Sequence, residues 1–174
     1  MRFHLLLAFV PMIFVSGCGG DGTSIQGSIA GKRFASVQAV SGSITNPGQQ
    51  SGMFIVMSDV ADLCARLSGT IQPSPNVQEL SFDLFVSDGT ANTSLPTASG
   101  DYVVATSDQE KGQLVTAQYE STGATISDIT MIPATAGKVT LDSPSHDTGS
   151  FDLTFGSDHV TGTFAPTVCA ALNL

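Results

Sequence analysis

From Leu80 to Val86 the chain alternates strictly: Leu80, Phe82, Leu84 and Val86 on one side of the pattern, Ser81, Asp83 and Phe85 on the other. Successive side chains of a strand point to opposite faces, so a period of two marks a strand with one face in a core. The same period returns late in the chain. Phe151, Leu153 and Phe155 alternate on one arm of a predicted hairpin, Val160 and Phe164 lie on the other, and Gly156-Ser157-Asp158 forms the turn. Other short segments fit strands: Ile25 to Ala30, Phe34 to Val40, Tyr102 to Thr106, Leu114 to Tyr119, Ala124 to Met131 and Gly137 to Leu141. Met53-Phe54-Ile55-Val56-Met57 is apolar without alternation and reads as a buried central strand. Loops separate the strands: Gly42 to Gly52 with Asn46-Pro47-Gly48, Ile71 to Val77 with Pro73 and Pro75, Ser87 to Ser99 with Asp88-Gly89 and Pro96, and the turn Asp108 to Gly112. Many short strands without a βαβ pattern predict a mainly β fold, an antiparallel β-sandwich or a partly closed barrel.

One helix interrupts the strands. Val60, Leu63, Cys64 and Leu67 recur at i, i+3, i+4 and i+7, which gathers them on one helical face. Ser58 is placed to cap it, Asp59 and Asp62 suit the positive end of its dipole, Asp62 and Arg66 are spaced as an i,i+4 pair, and Gly69 supplies the stop.

The first residues carry an address. Met1-Arg2-Phe3-His4 has one firm positive charge, Leu5 to Val15 has none, and Ser16-Gly17 are small residues ahead of Cys18. A charged start, a short apolar stretch and a small-residue cut site define a secretory signal. The apolar stretch is shorter than the roughly 20 residues a spanning helix needs, and Pro11 interrupts it. Val15-Ser16-Gly17-Cys18 resembles the lipobox of bacterial lipoproteins, with Val15 where Leu is more usual. That resemblance implies lipid on the Cys18 thiol, cleavage between Gly17 and Cys18, and a membrane partner reached through that lipid. Two or three acyl chains hold stably where one is marginal. It also implies a Gram-negative cell envelope, with Gly19 rather than Asp after the cysteine favouring the outer membrane. The chain divides accordingly into a signal peptide at 1–17, a lipidated cysteine and flexible tether at 18–24, and a single β domain at 25–174.

Cleavage leaves 157 of the 174 residues, enough for one domain with a real core. All 15 acidic residues stay in that part, opposed by Lys32, Arg33, Arg66, Lys111 and Lys138, which gives a net charge of −10 with histidines neutral. An acidic chain with scattered bases argues against nucleic acid as a partner, which needs a basic patch. It argues equally against electrostatic attachment to anionic lipid heads. Beside Cys18 stand Cys64 and Cys169. An even pair in an oxidising compartment reads as a disulfide, the alternatives being two buried thiols or part of a metal site. Neither has His or Cys neighbours in sequence to complete a metal site.

No Gly-x-Ser-x-Gly elbow, phosphate-binding loop, His-Glu-x-x-His pair or calcium loop occurs in the sequence. His146 in Ser143-Pro144-Ser145-His146-Asp147, and His159 after Asp158, read as solvated loop residues. Asp142, His146, Asp147, Asp158 and His159 form a metal site only if their loops meet. Tyr102, Tyr119, Phe34, Phe54, Phe82, Phe85, Phe151, Phe155 and Phe164 read first as packed core and second as the lining of a ligand cavity. The sequence therefore names no catalytic residue, cofactor or metal ligand.

Gly27-Ser28-Ile29-Ala30-Gly31-Lys32-Arg33-Phe34, Ser58-Asp59 to Cys64, and Gly162-Thr163-Phe164 to Cys169 resemble segments of uncharacterised lipoproteins of Gram-negative bacteria. The resemblance implies a β fold and a helix-to-C-terminus disulfide, and it supplies no activity. The expected role is non-catalytic, in binding or envelope structure, with protein or small-molecule partner unknown. The other readings are an envelope hydrolase with a loop-built site and a carrier of a small apolar ligand.

Overall fold

The computed structural model describes residues 22–34, 38–45, 50–72, 74–90, 92–107, 109–143 and 147–170. Cys18, His146 and the turns at Asn46-Pro47-Gly48 and Pro144-Ser145 lie outside them. In chain order the elements are β1 (Ser24–Gly27), β2 (Gln38–Ile44), β3 (Gly52–Ser58), α1 (Leu63–Leu67), β4 (Gln78–Asp88), β5 (Thr93–Ser94), β6 (Gly100–Val104), β7 (Lys111–Thr122), β8 (Ile129–Pro133), β9 (Ala136–Ser143), β10 (Thr148–Phe155), β11 (Asp158–Phe164) and β12 (Thr167–Val168). They make one sheet in the order β1-β11-β10-β9-β6-β7-β4-β3-β2-β12, with β5 beside β4 and β8 beside β7. The sheet curls into an open half-barrel, so the expected mainly β fold with one short helix is what the chain adopts.

Alternation decides which side chains fill the curl. Leu80, Phe82 and Leu84 of β4 are fully buried inside it, while Ser81, Asp83 and Phe85 face outward. Neighbouring strands supply Ile55, Met57, Val115, Tyr119, Val139 and Leu153 to the same interior. The ring of Phe82 lies 5.2 Å from Phe151 and 6.0 Å from Phe164. Strand β4 is separated from β10 and β11 by several strands in the sheet order. Those ring contacts therefore exist only because the sheet wraps round on itself.

The unbroken apolar run of β3 has a separate explanation for each face. Met53, Ile55 and Met57 enter the interior. On the outside, Val56 is covered by Val40, Leu63 and Cys169 in a second, smaller cluster. Helix α1 and the C-terminal segment form this cover. Cys64 and Cys169 are bonded there, with Cα atoms 5.6 Å apart. Only Ala165 and Pro166 separate β11 from β12, yet β12 pairs with β2 at the far end of the sheet. Three chain steps span at most about 11 Å, so the two margins of the sheet come close at that point. A hydrogen bond from Ser41 Oγ to Asp147 Oδ2 (2.5 Å) crosses the same gap. At the opposite end of the strands, the segment between β1 and β2 closes the curl. Ile29 is fully buried, Phe34 packs edge-on against Tyr119 at 5.9 Å, and Ala30 N donates to Asp158 Oδ2 at 2.8 Å.

The predicted hairpin is present with its predicted arms. Its two Gly-Ser/Thr-Phe triplets pair with each other, Gly149 with Phe164, Ser150 with Thr163 and Phe151 with Gly162. Each ring occupies the space over the partner's glycine: a Cβ on Gly149 would stand 2.7 Å from Phe164 Cζ, and one on Gly162 2.8 Å from a Phe151 ring carbon. The similarity of the triplets is thus the symmetry of an antiparallel pair.

The second strand runs Gln38–Ile44 rather than Phe34–Val40, so Gly42 to Ile44, expected in a loop, pair with Phe54 to Gly52. Three further expectations need correction. The helix is confined to Leu63–Leu67. Ser58 stays in β3 and its hydroxyl donates to Gln78 O (2.8 Å), while Asp59 Oδ1 accepts from Gln78 N (2.9 Å), so both residues bond the sheet and leave the helix uncapped by them. Leu63 N is satisfied instead by Gln38 Oε1 at 2.8 Å, and Arg66 turns to Ala61 O and Ser74 Oγ rather than to Asp62. Second, the sheet is not wholly antiparallel: β6 runs parallel to β7, and β12 parallel to β2. Strand β7 pairs along its whole length with β4 and shares its other edge between β6 and β8. The β6–β7 connection must therefore run back before β7 begins, and it is not a hairpin turn. Third, residues 124–128 form a turn, and β8 starts only at Ile129.

Candidate functional site

The outer face of β3, β4 and β7 carries a groove of about 660 Å³. Register places its floor. Phe54, Asp83 and Thr116 lie side by side across the three strands, and in the next outward row Phe85 stands opposite Leu114. The first row begins at Gly42, which pairs with Phe54. The missing side chain there gives the Phe54 ring its seat: a Cβ on Gly42 would come 2.8 Å from a ring carbon.

Loops raise the walls. The β6–β7 connection brings Ala105 to Ser107 over the outer face, and Thr106 N and Oγ1 both bond Glu110 Oε1, at 3.0 and 2.5 Å. On another side Thr93 Oγ1 accepts from Ser51 N (2.9 Å) and donates to Ser51 O (2.8 Å), tying the β4–β5 region to the start of β3. Ser87 Oγ accepts from Gly89 N at 3.0 Å, and Thr90 Oγ1 donates to Asp88 Oδ1 at 2.6 Å. These wall hydroxyls are already used in holding their own loops.

Asp83 is the one ionisable group in the described lining. Its side chain still reaches solvent. Desolvation on the groove floor nonetheless raises the pKa of its carboxyl from its ordinary value, and the Thr116 hydroxyl, donating to it, pulls the other way.

A smaller cleft of about 180 Å³ lies further along the same face, between α1 and the ends of β4 and β7. Glu79 and Glu120 are directly opposed across β4 and β7. Burial raises the pKa of Glu79, the charges of Glu120 and Asp59 raise it further, and Arg66 offsets part of this. A carboxyl that is harder to ionise in the fold than in the unfolded chain opposes folding once the pH rises through its ordinary range. Like charges placed directly opposite cost on the order of 0.2–1 kcal/mol. Glu79→Gln is therefore expected to raise the melting temperature by roughly 1–4 °C at pH 7 and to lose that advantage near pH 4. Melting curves at the two pH values check this, and a gain of equal size at both would rule out ionisation as the cause.

The residues singled out from sequence scatter. His159 Nε2 meets Asp152 Oδ1 at 2.7 Å, both more than half exposed on the open sheet and lining neither recess. Asp147 sits before β10 and Asp158 after it, so the length of that strand, about 25 Å, keeps the supposed metal ligands apart. Among the described residues no group of three or more His, Cys, Asp or Glu is placed to hold a metal. The aromatic set divides. Phe82, Phe151, Phe155, Phe164, Tyr102 and Tyr119 are packed core, whereas Phe54 and Phe85 line the outer groove. Sequence reading missed this site because it depends on which residues become neighbours across strands. Its one visible trace was Phe85, a large apolar residue on the polar side of the alternation.

No helix of the described residues is long and apolar enough to cross a membrane. No family profile, curated protein or solved structure matches the chain. The functional reading rests on its own residues.

Proposed function

We propose that this chain is a lipid-anchored domain of a Gram-negative cell envelope with a non-catalytic binding role, held to the membrane, most simply the outer one, by lipid on Cys18. The groove around Asp83 carries the binding part of this reading. It is a concave recess of ligand size, floored by Phe54, Phe85 and Leu114, with a single charged group. The anchor rests on Val15-Ser16-Gly17-Cys18 and the charged, short leader before it. The tether expected at 18–24 ends earlier: Gly22 O accepts from Thr163 Oγ1 at 2.8 Å and Ser24 begins β1, so the spacer in this reading is Gly19-Gly20-Asp21, of flexible composition.

Intact mass spectrometry of the protein from its own membranes tests the anchor. The expected species begins at Cys18 and carries added acyl mass. A species of peptide mass alone would overturn the anchor and place the domain free in its compartment.

A further inference from the structure

We propose that the groove on the outer face of β3, β4 and β7 binds a small organic ammonium ion carried on an apolar body, with Asp83 as its counter-ion and Phe54 and Phe85 beside it. This deepens the binding role proposed above and rests on it.

Three features of the lining select the ligand. The floor offers apolar surface from Ile44, Phe54, Phe85 and Leu114, which suits a ligand with an apolar body. The hydroxyls of Thr90, Thr93 and Thr106 already donate, to Asp88, to Ser51 O and to Glu110. A ligand recognised mainly through many hydroxyl contacts, such as a sugar, therefore finds few free partners there. The one charged group is the Asp83 carboxylate, which no basic side chain among the described lining residues neutralises. A carboxylate in the lining with no basic neighbour there repels anions and attracts a cation that brings its own charge into the site. Two aromatic rings in the same lining add to the preference, since a cation is attracted to the face of an aromatic ring. Phe54 is the direct cross-strand neighbour of Asp83, and Phe85 lies two residues along the same strand face. A volume of about 660 Å³ fits a small molecule.

The test uses the full protein in a non-ionic detergent. It is titrated with 2-phenylethylammonium and with 2-phenylethanol, a neutral probe of nearly the same shape, by calorimetry. The ammonium probe is expected to bind at least tenfold more tightly than the alcohol. Asp83→Asn should bring the two within about twofold of each other. Because the whole chain is acidic, Asp101→Asn serves as the control: it removes a charge from the sheet outside the groove and should leave the preference unchanged. Equal affinities in the wild-type protein would overturn the cation while leaving the groove as a binding site. Equal losses in Asp83→Asn and Asp101→Asn would overturn it by assigning the preference to net charge. Failure of both probes to saturate would overturn both the cation and the groove, and the mass measurement on Cys18 would stand apart from either result. The wild-type comparison decides the matter by itself should Asp83→Asn fold poorly.

Discussion

Opening the Cys64–Cys169 bridge is expected to lower stability by about 4–5 kcal/mol, the chain-entropy value for a closed loop of roughly 100 residues. The sequence separation is 105. Folded domains commonly have only about 5–15 kcal/mol in total, so the loss would take roughly a quarter or more of it. The position of the bridge adds to the effect. Helix α1 has five residues, too few to be stable without tertiary support. Strand β12 has two residues and pairs with β2 through a short parallel contact, reinforced by Cys169 N donating to Ser41 O at 2.8 Å. Both elements cover Val40 and Val56, and the bridge joins one to the other. Without it the cover over Val40 and Val56 is held by little else. Urea unfolding of the wild-type protein with and without reductant, and of a Cys64→Ala/Cys169→Ala double variant, measures the loss free of any stray thiol. Hydrogen exchange should rise first in residues 63–70 and 167–170. An unchanged unfolding midpoint in the double variant would show that packing alone holds the cover in place.

The elements were legible in the sequence to the extent that one local rule governed them. Alternation from Leu80 to Val86 and from Phe151 to Phe164 gave the correct strands and inward faces, because a strand's two faces are read from residue parity alone. The apolar run at Met53–Met57 was also read correctly as a buried strand, and the structure supplies the cover on each side. The helix was overextended for a physical reason. The i, i+3, i+4, i+7 pattern at Val60–Leu67 is real, but Ser58 and Asp59 are claimed first by the backbone of Gln78 on the neighbouring strand. A nonlocal pairing outcompeted a local cap. The parallel pairing of β6 with β7 was likewise invisible, since it follows from how β7 divides its edge between two partners. The groove needed register as well as parity. Phe54, Asp83 and Phe85 each made sense as residues of single strands, and their adjacency depends on a cross-strand alignment that no periodicity encodes.

Phe82→Ala is expected to cost about 3–5 kcal/mol, the range for emptying a large aromatic site in a core. For a domain of this size that lowers the melting temperature by roughly 6–20 °C. Phe82 is fully buried and is the ring through which the middle of the sheet touches its far strands, at Phe151 and Phe164. Those two rings have little freedom to fill the space it would leave, because each is seated over a glycine of the partner strand, Phe151 over Gly162 and Phe164 over Gly149. A cavity that neighbours cannot collapse into is the costly kind. Phe85→Ala provides the comparison. It removes the same side chain three residues along the same strand, from a half-buried position in the outer groove. Its expected cost is below about 1.5 kcal/mol, since much of that ring already meets water. Thermal unfolding of the two variants side by side separates the roles of the sheet's faces. Similar losses would mean that the curl is not held by the interior contacts of β4. A large loss for Phe82 alone would fix the interior as the source of stability and leave the outer face, with Asp83 and its two rings, open to evolve for binding.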